Sequence, residues 1–119
     1  MKNMTNRKAP PPNRKILDKS FVEFVIDQIQ AVGNISHKYM FGGCAIYRNN
    51  KVVALICDNQ LYIRPTAAGK MFIKTVVEKP PYRGTKPHFL IEDVDDKEWL
   101  CDLIKITDKE LSQTKTKRK

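Results

Sequence analysis

The sequence predicts a two-layer α+β domain in which helices pack on an antiparallel-rich sheet. Two stretches near the ends of the chain, residues 20–33 and 95–111, place apolar residues at helical spacing. Between them, runs of β-branched and aromatic residues are interrupted by Asn49-Asn50 and Asp58-Asn59, pairs suited to two-residue hairpin turns. A length of 119 residues has room for a single modest core.

The first helix is expected to open at Ser20, which forms a capping box with Glu23. Phe21, Phe24, Val25, Gln28, Ile29 and Val32 then form the inward stripe, and Gly33-Asn34 closes the helix. From Ile35 the pattern becomes that of a meander, with strands at Ala45–Arg48, Val52–Cys57 and Leu61–Arg64. The middle strand is nearly all apolar, as a central strand should be. The third alternates Leu61 and Ile63 with Tyr62 and Arg64, so one of its faces is expected to be exposed. Pro65 ends that strand and Thr66 caps a short helix through Lys74. Gly69 costs this helix about 1 kcal/mol relative to alanine, so packing must hold it. Val76 and Val77 add a short extended piece, Pro80-Pro81-Tyr82-Arg83-Gly84 forms a turn region, and His88–Ile91 reads as a strand. Asp95 with Glu98 repeats the capping-box pattern ahead of a helix with Trp99, Leu100, Leu103 and Ile104 on one stripe. The order is helix, three strands, short helix, one or two strands, helix.

The formal charge of +9 lies at the two ends. Five unopposed basic residues precede Ile16 and four follow Thr114, which leaves the segment between them formally neutral. Residues 1–15, with Ala9-Pro10-Pro11-Pro12, are expected to form a disordered basic tail, residues 16–112 the single domain, and 113–119 a lysine-rich disordered tail. Arg14, Lys15, Lys115, Lys117, Arg118 and Lys119 are the candidates for weak, salt-sensitive contacts to nucleic acid. No apolar run approaches a membrane span, and three widely spaced cysteines suit neither a disulfide framework nor a C-x-x-C site. A cytoplasmic protein without membrane attachment is the expectation.

Catalytic and metal chemistry is thinly represented. Cys44 would need a base, and the histidines are only His37 and His88. Two histidines and scattered cysteines make a poor zinc set. The acidic cluster Glu92, Asp93, Asp95, Asp96 and Glu98 precedes and opens a helix, where capping and the macrodipole account for it. Gly42-Gly43 is followed by strand residues and not by a helix, so a bulge or a closely packed helix explains it better than a phosphate cradle. No enzyme activity, cofactor or metal is therefore expected.

Met40-Phe41-Gly42-Gly43, the strand-turn-strand ending in Leu61-Tyr62-Ile63, and Gly84-Thr85-Lys86-Pro87 leading into Phe89-Leu90-Ile91 resemble the N-terminal domain of the TfoX/Sxy competence regulators. The resemblance covers roughly residues 20–111. It implies a fold like that of type III secretion chaperones, in the order α-β-β-β-α-β-β-α. Full-length regulators of that family are coactivators of competence genes with a further helical domain, which is not expected in a chain of this length. No catalytic residues carry over. The resemblance implies a non-enzymatic regulatory or adaptor domain working through a protein partner or homodimer, in competence or transcription. Tyr62, Arg64, Tyr82 and Arg83 are the candidate protein-binding surface. The alternatives are nucleic-acid binding through the tails, and a small-ligand binder or enzyme.

Overall fold

The computed structural model describes residues 17–40 and 42–117. Helix α1 (Lys19–Ile29) and a 3-10 turn (Gln30–Val32) lead into strands β1 (Ile35–Met40), β2 (Gly43–Arg48), β3 (Lys51–Cys57) and β4 (Gln60–Ile63). Helix α2 (Ala67–Ile73), strands β5 (Val77–Lys79) and β6 (His88–Ile91), and helix α3 (Lys97–Lys117) complete the order. The fold is α+β, as expected, with one strand more than the sequence pattern indicates. That strand is β1, whose residues after Ile35 are all exposed, so no burial pattern marks it.

All strand pairs are antiparallel, in the order β1-β2-β3-β4-β6-β5. Three consecutive two-residue turns build the first four strands. In two of them Asn49, Asn50, Asp58 and Asn59 all have φ between 52° and 66°, the positive values a type I′ turn demands. The other joins Met40 to its cross-strand partner Gly43, with Gly42 at φ 77°. Gly42 thus belongs to a hairpin turn and Gly43 opens β2, so the pair is not a bend that receives a helix. Gly43 is required by a different neighbour: a Cβ there would stand 2.6 Å from the Ile56 carbonyl oxygen of β3.

The helix starts differ from the expected capping boxes. Asp18, with extended backbone, accepts from the Ser20 amide at 2.9 Å and so begins α1 ahead of Ser20. Asp96, not Asp95, caps α3 by accepting from the Trp99 amide at 3.2 Å, which moves Glu98 out of the reciprocal position. The helix then continues to Lys117, through residues that the sequence assigns to a tail. On α1 the buried residues are Val22, Val25, Ile26 and Ile29, while Phe24 is exposed. Gln28 faces the seam with α3, and its amide donates to the Val94 carbonyl at 2.7 Å.

All three helices lie on one face of the sheet. There Cys44, Ile46, Ala54, Ile56, Leu61, Ile63, Phe89 and Ile91 meet Val22, Val25 and Ile29 of α1 and Leu100, Leu103 and Ile104 of α3. Thr66 caps α2 as expected, accepting from the Gly69 amide at 2.9 Å. Gly69 is buried so closely that a Cβ would lie 2.6 Å from Thr66 Oγ1. Glu110 of α3 accepts from the Ala67 and Ala68 amides at 3.0 and 2.9 Å, so packing and a borrowed carboxylate hold this short helix.

Candidate functional site

The opposite face of the sheet has no helix. Cross-strand pairing sets Ala45, Leu55, Tyr62, Leu90 and Val77 in one row across β2, β3, β4, β6 and β5. Alternation along β4 predicts solvent over Tyr62, yet Tyr62 is only 1% exposed. The expected exposed face is corrected here. Residues 80–87 connect β5 to β6, and Pro81 is buried within this connection and lines the same groove as Leu55. The central tyrosine donates its hydroxyl to Gln60 Oε1 at 3.1 Å, and the 80–87 connection covers part of this face beside Leu55.

This cover is incomplete and leaves an open groove of about 610 Å³. Its floor is Gly43 and Ala45 of β2 with Leu55 and Cys57 of β3. Met40 and Gly42 of the first hairpin form one wall, and Pro81, Tyr82 and Arg83 form the other, with Asp58 at the end. Tyr82 is 58% exposed and Met40 is 37% exposed. Tyr82 is presented by a turn: the Thr85 hydroxyl donates to the Tyr82 carbonyl at 2.7 Å, and Gly84 takes φ 92° between them.

The four residues expected to form one surface are divided. Tyr82 and Arg83 stand in the groove wall. Tyr62 is buried, and Arg64 is half-buried with its guanidinium donating to the Val52 carbonyl at 3.3 Å. Of the family motif, Met40, Gly42 and Gly43 line the groove, while Phe41 lies outside the described residues. Arg14, Lys15, Arg118 and Lys119 also lie outside them, and Lys115 and Lys117 fall in the last turns of α3.

Sequence reasoning missed Leu55, Cys57, Asp58 and Pro81 as groove residues. The one available signal was Pro80-Pro81 beside an aromatic, read only as a turn. Gly43 and Cys57 adjoin across the β2–β3 pair, with Cys57 Sγ 3.5 Å from where a Cβ on residue 43 would sit. Burial and the neighbouring Asp58 carboxylate both push the Cys57 thiol up, opposite to the shift that activates a nucleophile. Cys44 faces the helices instead; burial raises its thiol, which approaches the Ala45 carbonyl at 3.7 Å. His37 packs edge-on against Tyr39 with centroids 5.4 Å apart. No helix among the described residues is long and apolar enough to cross a membrane.

The TfoX N-terminal domain family matches residues 27–108, a span that runs from α1 through the groove to α3. An uncharacterized 12.7 kDa protein in the trpE 5′ region of Spirochaeta aurantia is 34% identical over 91 residues, covering 76% of this chain and 79% of that protein. With both the hairpin glycines and the strand order in place, the chain belongs to the TfoX N-terminal domain family.

Proposed function

We propose that this is a non-enzymatic regulatory domain that works by holding a protein segment in the groove on its helix-free sheet face. Family membership supports a regulatory domain in general, and regulation of transcription or competence in the cytoplasm is the setting proposed for it. The observation that carries the reading is the exposed Tyr82 ring held over an apolar floor by the Thr85 turn. Tyrosine supplies large amphipathic contact area with little rotamer entropy, which suits protein contacts. The groove lining has one carboxylate, Asp58 at its end, and one guanidinium, Arg83 in its wall, a sparse polar set for chemistry but enough to orient a bound chain.

The test is a photo-crosslinking amino acid at position 82 of the full chain, expressed in the source cell. The expected result is a discrete adduct, either of twice the chain mass or with one partner, that a Met40→Glu change abolishes. A monomer without such an adduct, with only scattered background products, overturns the reading.

A second reading, weak nucleic-acid binding, is favoured by the extent of α3. The helix runs to Lys117, so Lys115 and Lys117 are placed along a regular element next to Arg118 and Lys119. Binding of this kind weakens steeply with salt, and replacing those four residues with alanine should flatten the dependence. An unchanged salt slope would remove this reading.

A further inference from the structure

We propose that β1 is the pairing edge of a homodimer: it joins antiparallel to β1 of a second copy of this chain, about a two-fold axis at His37. The surface is the sheet edge and not the groove, so the pairing does not rest on the partner reading above.

The two edges of the sheet are built differently. Strand β5 has three residues, two of them the charged Glu78 and Lys79, and Pro80 follows with no amide to donate. Short length, charge and proline all guard a sheet edge against pairing with another chain. Strand β1 has six residues, an unbroken register against β2, no proline, and one formally charged side chain, Lys38. Its residues after Ile35 are exposed, and among the described residues no strand pairs with its outer side.

The hairpin decides which groups this edge offers. A two-residue turn closes on a hydrogen-bonded pair, here Met40 and Gly43, so the amides and carbonyls of Ser36, Lys38 and Met40 point at β2. Two residues further back, the Asn34 carbonyl accepts from the Asn49 amide at 3.1 Å, in keeping with that alternation. Ile35, His37 and Tyr39 therefore turn their amides and carbonyls outward. Their side chains lie on the helix face, because Ile46 and Cys44, which pair with His37 and Tyr39, belong to the core there. Ser36, Lys38 and Met40 lie on the groove face.

This strand is complementary to itself in one register. A two-fold axis normal to the sheet keeps each face on its own side, so an outward residue can stand opposite only another outward residue. Centred on His37, the register sets His37 against its own copy and Ile35 against Tyr39 in both directions. Each such pair exchanges two bonds, so every outward amide and carbonyl of the strand finds a partner. Ile35, packed at the margin of the core, gains the Tyr39 ring, which is 40% exposed and already held by Lys19 with Nζ 5.3 Å from its centroid. On the groove face Lys38 meets Ser36. Centred on Lys38 instead, two ammonium groups stand directly opposed, which is destabilising. Centred on Ser36 or on Tyr39, fewer of the outward groups are paired.

The joined sheets carry all the helices on one side and both grooves on the other. A partner that fills the grooves then meets two of them at a fixed spacing, a consequence that does rest on the groove reading.

Sedimentation equilibrium of the full chain between about 1 and 100 μM reads the association. The expected result is a shift from one chain mass toward two, weakened at least about tenfold by His37→Pro, which removes the amide at the axis from each copy. Under mild oxidation His37→Cys should link to its own copy, because a hydrogen-bonded antiparallel pair sets Cα atoms about 5.5 Å apart, within disulfide reach. Lys38→Cys should not, since Ser36 stands opposite it; peptide mapping separates a new link from the native thiols. A single chain mass at about 100 μM overturns the proposal. So does a dimer that His37→Pro leaves intact, which reports another surface, and so does linkage at position 38 in place of 37. The linkage test stands whether or not His37→Pro folds: a position-37 cysteine that stays unlinked overturns the proposal by itself.

Discussion

Arg48 and Asp108, sixty residues apart, are joined by a 2.7 Å ion pair that ties the first long hairpin to the last helix. Lys51 reaches the other carboxylate oxygen at 2.8 Å and the Asn49 amide donates at 3.1 Å, so one aspartate secures the whole β2–β3 turn. The same guanidinium also donates to the Val32 and Gly33 carbonyls, which would otherwise end the 3-10 turn without partners. Asp108→Ala should cost about 2–4 kcal/mol, below the fully buried range because both cations keep some contact with water. Urea denaturation measures it.

Asp108 also sets a pH dependence. Burial alone pushes its carboxyl up, but hydrogen bonds from Lys51 and Arg48, the Lys51 charge and Asn49 outweigh burial and hold it below the usual aspartate value. A depressed folded value means that this stabilisation is complete above the unfolded value of about 3.9 and is lost as pH falls through the folded one. Midpoint denaturant concentration should therefore fall more steeply below about pH 4 in the wild type than in Asp108→Asn. Parallel acid limbs would contradict the assignment.

The two hairpin glycines should respond differently. Gly43→Ala places a methyl 2.6 Å from backbone that cannot move without breaking the β2–β3 ladder, and should cost about 1–3 kcal/mol. Gly42 has open space but φ 77°, so Gly42→Ala should cost about 1–2 kcal/mol and Gly42→Asn less. Thermal melts of the three variants check the order.

Tyr62 and Tyr82 form a matched pair of probes. Tyr62→Ala should cost about 3–5 kcal/mol, as expected for an aromatic truncated in a packed layer, whereas Tyr82→Ala should stay within about 0.5 kcal/mol. Equal effects would mean that the cover over the sheet is misassigned.

Glu110→Ala removes the acceptor shared by the Ala67 and Ala68 amides and should cost about 1 kcal/mol. Its signature is local: amide exchange in α2 should quicken while that of β3 is unchanged.

The legible parts of this fold were those fixed by local chemistry. Asn49-Asn50 and Asp58-Asn59 declared their turns because few residues tolerate positive φ, and the stripe on α3 declared its buried face. Tyr62 was misread because alternation reports which side of a strand is polar, not whether that side ends up buried. Strand β1 escaped notice since an exposed edge has no apolar face to repeat. The groove was least legible of all: Gly43, Cys57 and Pro81 are brought together by cross-strand register and by the return of the 80–87 connection, and neither relationship leaves a periodic trace. The family motif, read as mainly structural, lies beside the groove as a hairpin turn and not as the bend expected.

The 80–87 connection, which carries Pro81 and Tyr82, hangs from a slender support. Strand β5 is three residues long, wholly exposed, and paired only with β6, and its side-chain link to α2 is a 3.6 Å contact between the exposed Lys70 and Glu78. Such a unit can unzip while the helices and the four-strand meander stay intact. Single surface changes in β5 should therefore quicken amide exchange in β5 and in its partner β6 while leaving the melting temperature where it was.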